Sequence, residues 1–491
     1  MVLFSWSYIA YLVAASLVCM VVPEKFRKLT ALLAGIVFAV VFLPHALPFL
    51  ILLLVVNLGF GRMLDSSILS KSYVLAAGIA SNILLLGLQQ STLLHGWVAE
   101  LLPTAEAAGS VSTMSLTVLH VGSVFLTLQA ISYLMELYRG RLSRGPGAAF
   151  NLAHYLFFFP KLLAGPIEKP QAMMEPPRVE RLLDRKRLKE GLLLMGWGIF
   201  QKLVIADRLA VISHAALDDP QGSLGWGLII GTVCFALQLY FDLCAYTDMS
   251  VGAAHLMGYR LGHHFQLPWK ADRPFLYWER WMCSLRSWVE DYMEQPLRWL
   301  IQRRFIRSHG DRIEREQLVR SIAVPVLCTG LLLASGSWGF LLLGVVWLVS
   351  TVSRRSPAAL RTRQLQVPFA SRWLVWLSAC LASVWLAFPG VDRVVPYVTL
   401  ISRRLDDFSG QRIVSSLGVS WTDFNLALVA LLVAALTGYG KLGLHDRYPY
   451  PYQLLHAAHV PRWKRWVAGY VMLLLALVMG VYKTTPFLFG F

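Results

Sequence analysis

The stretch LGWGLIIGTVCFALQLYFDLCAYTD, running from Leu224 to Asp248, opens as an apolar run and closes among carboxylates. Between Leu224 and Leu243 a single formal charge, Asp242, interrupts roughly 20 residues, the length a helix needs to cross the hydrocarbon core of a bilayer. Asp242, Tyr246 and Asp248 then cluster where the run is expected to reach the cytoplasm. Ionisable side chains at such depth are costly unless they are paired or wetted, which makes them candidates for function. The plainer reading is that of helix-end carboxylates paired to Lys or Arg of the neighbouring basic region.

Runs of the same kind recur outward from this one, at Leu3–Val22, Val74–Leu88, Met114–Leu134, Trp373–Phe388 and Trp466–Val481. The chain of 491 residues is 56% hydrophobic, far more apolar than one water-soluble core of that size requires, so it reads as an integral membrane protein. The first run lacks a basic start and a small-residue cleavage site and is followed by Lys25, Arg27 and Lys28, so it is expected to be retained as a span. The formal charge of +17 falls mostly in short loops between apolar runs, where the positive-inside bias puts Lys and Arg. Membrane lipid is therefore the expected partner, and nucleic acid is not. Six cysteines, none in paired or CxxC spacing, indicate neither a disulfide framework nor a zinc site.

Placing basic loops in the cytoplasm threads the first half of the chain consistently. Lys25–Lys28, Arg62–Lys71, Arg139–Arg144 and Arg181–Lys189 lie inside; the turn at Pro44, the Lys- and Arg-free stretch Gln89–Thr113 and the acidic Leu217–Pro220 region lie outside. Phe150–Ile167 is apolar but carries Pro160, Lys161, Gly165 and Pro166 between basic flanks, the pattern of a re-entrant segment that dips in and returns. Trp278, Trp281, Leu285, Trp288 and Tyr292 recur at three and four residues, which predicts a horizontal amphipathic helix at the cytoplasmic face. Arg393–Arg412 carries four arginines on a stretch this path puts outside, which a half-buried segment would accommodate. The expectation is an all-α polytopic protein of about twelve spans in a single domain, residues 1–491.

Other polar groups stand within apolar context: His120 and Gln129 in one run, His154 and Lys161 in the re-entrant segment, and Lys202, Asp207 and Arg208 near a span end. For His120 the plainer reading is a hydrogen-bonded core histidine. Composition and spacing alone imply a lined cavity open to the cytoplasm and no particular reaction.

Four ordered stretches resemble the membrane-bound O-acyltransferase family, in the branch of the alginate O-acetylation membrane protein and the teichoic-acid D-alanyl transfer protein. They are Phe125–Gly140, with Gln129-Ala130-Ile131-Ser132-Tyr133; Phe158–Ile167, which matches Phe-Pro-x-Leu-x-Ala-Gly-Pro-Ile; Gly198–Asp207; and a fourth from Gln238 to Leu297. The fourth includes Asp242, Tyr246, Asp248, Trp278-Glu279-Arg280-Trp281, Ser284-Leu285 and Asp291-Tyr292. The match is densest over residues 120–300. The resemblance implies a bundle around a central tunnel in a bacterial inner membrane. It further implies a cytoplasmic acyl thioester donor, acyl-CoA or acyl-carrier protein, with no bound cofactor, a hydroxyl acceptor on an extracytoplasmic glycan, and an extracytoplasmic acyltransferase partner. Lys161, Asp242, Tyr246, Asp248, Arg280, Trp281, Ser284 and Asp291 would then line the tunnel or its donor side.

The chemistry departs from this pattern. The family's Arg-Trp-His-x-Ser-Leu stands here as Arg280-Trp281-Met282-Cys283-Ser284-Leu285, and the second histidine position falls on Leu333 or, with a different anchor, Ala334. None of these three side chains exchanges a proton, and loss of a general base typically costs about 10²–10⁴-fold. Three readings stay open: a noncatalytic member kept as partner or conduit, an O-acyltransferase using His120, His154 or His255 instead, and a binding module for another lipid. Cys283, beside the altered position, is either an acyl-carrying thiol or an ordinary apolar filler.

Overall fold

The computed structural model describes residues 6–65, 70–90, 113–142, 147–163, 165–174, 184–262, 264–266, 280–296, 391–405 and 409–439, with scattered single positions beyond these. Among the described residues the regular structure is helical and no strand occurs. The helices are α1 (Trp6–Val21), α2 (Glu24–Phe42), α3 (Leu47–Met63), α4 (Lys71–Gln90), α5 (Thr113–Tyr138), α6 (Ala148–Leu156) and α7 (Pro170–Met174). They continue as α8 (Arg185–Phe200), a π-helical turn (Gln201–Ala206), α9 (Asp207–Asp218), α10 (Gly225–Leu256) and α11 (Cys283–Val289), with α12 (Val391–Arg403), α13 (Gly410–Ser416) and α14 (Trp421–Tyr439) last.

Two described helices, Lys71–Gln89 and Gly225–Leu256, are long and apolar enough to cross a membrane; α13 and α14, bent by 105° at a short break, make a third if taken as one span. Ser7–Val21, Leu47–Met63 and Val394–Arg403 are shorter apolar helices. Most of the apolar runs Trp373–Phe388 and Trp466–Val481 lies outside the described residues.

The centre of the molecule is α10, packed on α8, α9, the π-helical turn, α1, α12 and α13. Every residue from Gln238 to Ala254 is buried, as expected of a helix that is apolar on all sides. With 32 residues it extends roughly 48 Å, longer than the hydrocarbon core alone. The helix runs on past Leu243, where the apolar run ends, to Leu256, and the small residues Ala245, Gly252, Ala253 and Ala254 let neighbours close on it. A Cβ on Gly252 would lie 2.8 Å from the Gly191 carbonyl oxygen of α8, and one on Gly198 would lie 2.6 Å from that of Ala245. Small residues permit such backbone approach where lipid supplies no hydrophobic drive.

Polar side chains tie the remaining helices. Arg27 is fully buried and donates to the carbonyls of Cys19 (3.1 Å) and Val22 (3.2 Å), satisfying the open end of α1 and meeting the negative end of its dipole. Asn57 of α3 and Asn82 of α4 exchange amide hydrogen bonds at 2.8 and 3.2 Å, a pairing that holds two apolar helices together. In α12, Val394 and Tyr397 are buried while Val395 and Val398 face outward, so the arginine-bearing stretch that begins at 393 is half-buried against α10.

The segment expected to be re-entrant does turn back on itself. Helix α6 stops at Leu156, a 3-10 turn spans Phe159–Lys161, and the Tyr155 hydroxyl donates to the Glu168 carbonyl at 2.6 Å. Lys28 then clasps both ends of the excursion, donating to Asn151 Oδ1 (2.5 Å) and to the Met174 carbonyl (2.7 Å). The amphipathic helix expected over Trp278–Tyr292 begins later, at Cys283, and continues through a π-helical turn to Glu294. Its start is fixed by Met282, whose backbone is left-handed at φ 47°, ψ 54° and ends any helix running in from the N-terminal side. Trp278 itself lies outside the described residues.

Candidate functional site

The four motif stretches, far apart in sequence, interlock around α10. The Tyr246 hydroxyl donates to the Pro160 carbonyl at 3.0 Å and accepts from the Leu163 amide at 3.2 Å, so one side chain satisfies buried backbone that the turn leaves without a helical partner. Ser284 accepts from the Ile167 amide at 3.0 Å and fastens the returning arm of the same segment to α11.

The third stretch meets the fourth through buried charge. Lys202 Nζ lies 2.8 Å from Asp242 Oδ1 and 2.7 Å from Asp207 Oδ1, with all three residues buried. Next to it, Gln201 donates to Asp248 Oδ2 at 2.6 Å. Consecutive residues on a regular helix diverge by about 100°. The wider π-helical turn brings Gln201 and Lys202 onto the same neighbour, where Asp242 and Asp248 stand six residues, or roughly 9 Å, apart. Asp242 is thus paired with a lysine, as the plainer reading expects, but with Lys202 inside the bundle, while Asp248 is held by the neutral Gln201. Ser213 and Gln238 hydrogen-bond between α9 and α10 in the same layer.

The first stretch closes the other side. Trp288 donates its indole N–H to Ser132 Oγ (2.7 Å) and to the Leu128 carbonyl (3.0 Å), which docks α11 under α5. Arg139 pairs with Glu136 at 2.9 Å, donates to the Asp291 carbonyl at 2.6 Å and covers the Tyr292 ring at 5.2 Å. Asp291 in turn pairs with Lys169 at 2.6 Å, linking the end of the re-entrant segment to the same network. Trp281 packs its ring on Tyr240 and Phe265, with centroids 5.7 and 5.5 Å away.

Lys161 is buried with its Nζ 3.7 Å from the Tyr155 ring centroid, a cation–π seat, and finds no hydrogen-bond acceptor among the described residues. His154 is walled by Phe158 and Tyr259, with Nε2 3.1 Å from the Tyr259 hydroxyl. His255 stands apart, half-exposed at the end of α10 and 3.2 Å from Glu190. The side chain of His120 and the whole of Leu333 and Ala334 lie outside the described residues. Cys283 donates its thiol to the Arg280 carbonyl at 3.5 Å.

Met282 stands between Trp281 and Cys283 with its strained backbone, and the segment paired beside it carries a histidine that sequence reasoning missed. The Cys283 amide donates to the His264 carbonyl (2.7 Å) and the Gln266 amide to the Arg280 carbonyl (2.9 Å), so 264–266 runs alongside 280–283. The His264 ring is buried against Phe125 and Phe265, and its Nδ1 lies 2.6 Å from Ser284 Oγ. Burial pushes its pKa down to about 3, so the imidazole is neutral at ordinary pH. The only signal in the sequence was a histidine close before the altered motif, with nothing to pair it to Ser284.

No family model matches the chain. Among curated proteins it is 29% identical over 281 residues to a probable alginate O-acetylase of Azotobacter vinelandii, covering 54% of this chain and 52% of that one. It is 27% identical over 277 residues to a peptidoglycan O-acetyltransferase of Helicobacter pylori, covering 51% and 50%, and 23% identical over 197 residues to a teichoic acid D-alanyltransferase of Bacillus subtilis, covering 38% and 48%. The match thus spans about half the length of these relatives. The interlocked motifs and the shared relatives lead to one conclusion: the chain is an integral membrane protein whose curated homologues are alginate O-acetylases, a peptidoglycan O-acetyltransferase and teichoic acid D-alanyltransferases, all membrane-bound O-acyltransferases.

Proposed function

We propose that the protein takes an acyl group from a cytoplasmic thioester donor, acyl-CoA or acyl-carrier protein, in the O-acylation of an extracytoplasmic polysaccharide or other cell-envelope polymer. It does so as a multi-pass protein of the bacterial inner membrane, with about twelve spans around a central tunnel and an extracytoplasmic acyltransferase as partner. The observation that carries this reading is the convergence of all four motif stretches on α10, through Tyr246 to Pro160 and Leu163, Lys202 to Asp242, Gln201 to Asp248, and Ser284 to Ile167. Satisfied polar contacts at such depth are expensive to assemble, and they hold an irregular backbone where a channel for an acyl chain would need one. Relatives named as O-acetylases and an O-acetyltransferase support the chemistry.

A second reading rests on Met282: a side chain that exchanges no proton stands at the motif's histidine position, which favours a noncatalytic conduit or regulator. Membranes bearing the full chain, given labelled acetyl-CoA and alginate or peptidoglycan sacculi, separate the two. Time-dependent label in the polymer above that of membranes without the protein supports transfer. Saturable acetyl-CoA binding with no label in either polymer supports the conduit.

A further inference from the structure

We infer that His264 is the proton acceptor of the acyl-transfer step, serving the position at which residue 282 offers none. The inference rests on the transfer reading above. Acylating a hydroxyl requires a group that takes its proton as the oxygen attacks the acyl carbon. Among the described side chains near the altered motif, most groups able to do this are already engaged. Asp242 is held by Lys202, Asp248 by Gln201, and His154 is enclosed with Tyr259, while His255 lies out at the helix end beside Glu190.

His264 is placed differently. Its main chain pairs with Cys283, one residue beyond Met282, so its ring hangs beside the motif itself. Its orientation is set by Ser284, which receives the Ile167 amide at 3.0 Å on one lone pair and stands 2.6 Å from Nδ1. With Nδ1–H donating to the second lone pair of that oxygen, Nε2 is left as the acceptor nitrogen. The Phe125 and Phe265 rings against it form a dry wall, which suits a thioester that must be kept from water.

The step then balances. The acceptor hydroxyl oxygen forms the new C–O bond to the acyl carbon while its proton passes to Nε2. The C–S bond breaks, and the imidazolium returns the proton to the departing thiolate, which leaves as the free thiol. A base so strongly depressed by burial is always in its accepting form but has little driving force, so its contribution belongs near the lower end of the usual range, about 10²-fold.

The test uses membranes with the full chain, acetyl-CoA carrying labelled acetyl, and alginate or sacculi as acceptor. His264→Asn keeps an amide donor to Ser284 and removes the proton acceptor. A fall of about 10²-fold in the transfer rate, with an unchanged KM for acetyl-CoA and an unchanged detergent melting temperature, is the expected result. Wild-type transfer that survives His264→Asn within threefold overturns the role of His264 and leaves the transfer reading standing. No transfer by the wild type overturns both. Where His264→Asn also lowers the melting temperature, the decision passes to His264→Asn combined with Met282→His: recovered transfer sustains the inference, and none overturns it.

Discussion

Met282 has a left-handed backbone, a conformation that costs an ordinary side chain about 1–2 kcal/mol but in which histidine is several-fold enriched among non-glycine residues. That backbone therefore suits a histidine better than it suits most other side chains. Met282→His is expected to leave the detergent melting temperature unchanged or raise it slightly, and a drop of several degrees would show that the seat has been lost. His264 makes a separate expectation about pH. Its pKa of about 3 in the folded state lies below the usual 6.5, so between those values the unfolded chain binds a proton that the folded chain refuses. Stability should then fall as pH drops from about 6.5 toward 3, with no contribution above that window. Melting curves of wild type and His264→Asn across this range should diverge on acidification; parallel curves would refute the assignment. The departure at position 282 was legible in the sequence because four motif residues, Arg280, Trp281, Ser284 and Leu285, frame it. His264 was not, because its link to Ser284 crosses a loop and depends on a backbone pairing that no spacing rule encodes.

At the level of elements, the π-helical turn between α8 and α9 decides where charge can be buried. It directs Lys202 between Asp207 and Asp242, and removing the cation leaves two carboxylates facing each other away from water. Lys202→Met is expected to cost about 3–5 kcal/mol, read as sharply reduced accumulation in the membrane, and Lys202→Met with Asp242→Asn should recover part of it. Equal loss in single and double variants would mean that the cluster is not held together by charge. Glycine contacts set the second limit. A Cβ at Gly35 of α2 would come within 1.7 Å of the Phe157 carbonyl oxygen, so Gly35→Ala should displace the start of the re-entrant turn and lower stability. Detergent melts check this, with Gly59→Ala as control, because nothing lies within 4 Å of a Cβ there. The apolar runs coincide with helices α1, α4, α5 and α10, of which α4 and α10 are long and apolar enough to cross a membrane. The reach of α10 beyond Leu243 was hidden because Asp242, Tyr246 and Asp248 look like an exit to water until Lys202, Gln201 and the Pro160 turn are seen to receive them.

For the whole molecule, the charge pattern makes a topological prediction. Single cysteines at Lys186, before α8, and at Gly222, before α10, should be labelled by an impermeant thiol reagent from opposite sides of the membrane, the first from the cytoplasm. Labelling of both from one side would refute the threading. The clasps that hold the bundle were not legible in the sequence, being single side chains such as Arg27, Asn57 and Asn82 whose partners sit on other elements. Lys28 reaches further along the chain than these three, since its two acceptors belong to residues made more than a hundred positions later. Arg27 can bond to the α1 carbonyls beside it as soon as α1 and α2 are made, whereas Lys28 has neither of its acceptors until residues 151 and 174 follow. The turn within Phe150–Ile167 can therefore be drawn shut only after Met174 has been made, so the clasp closes late in synthesis although its lysine is made early.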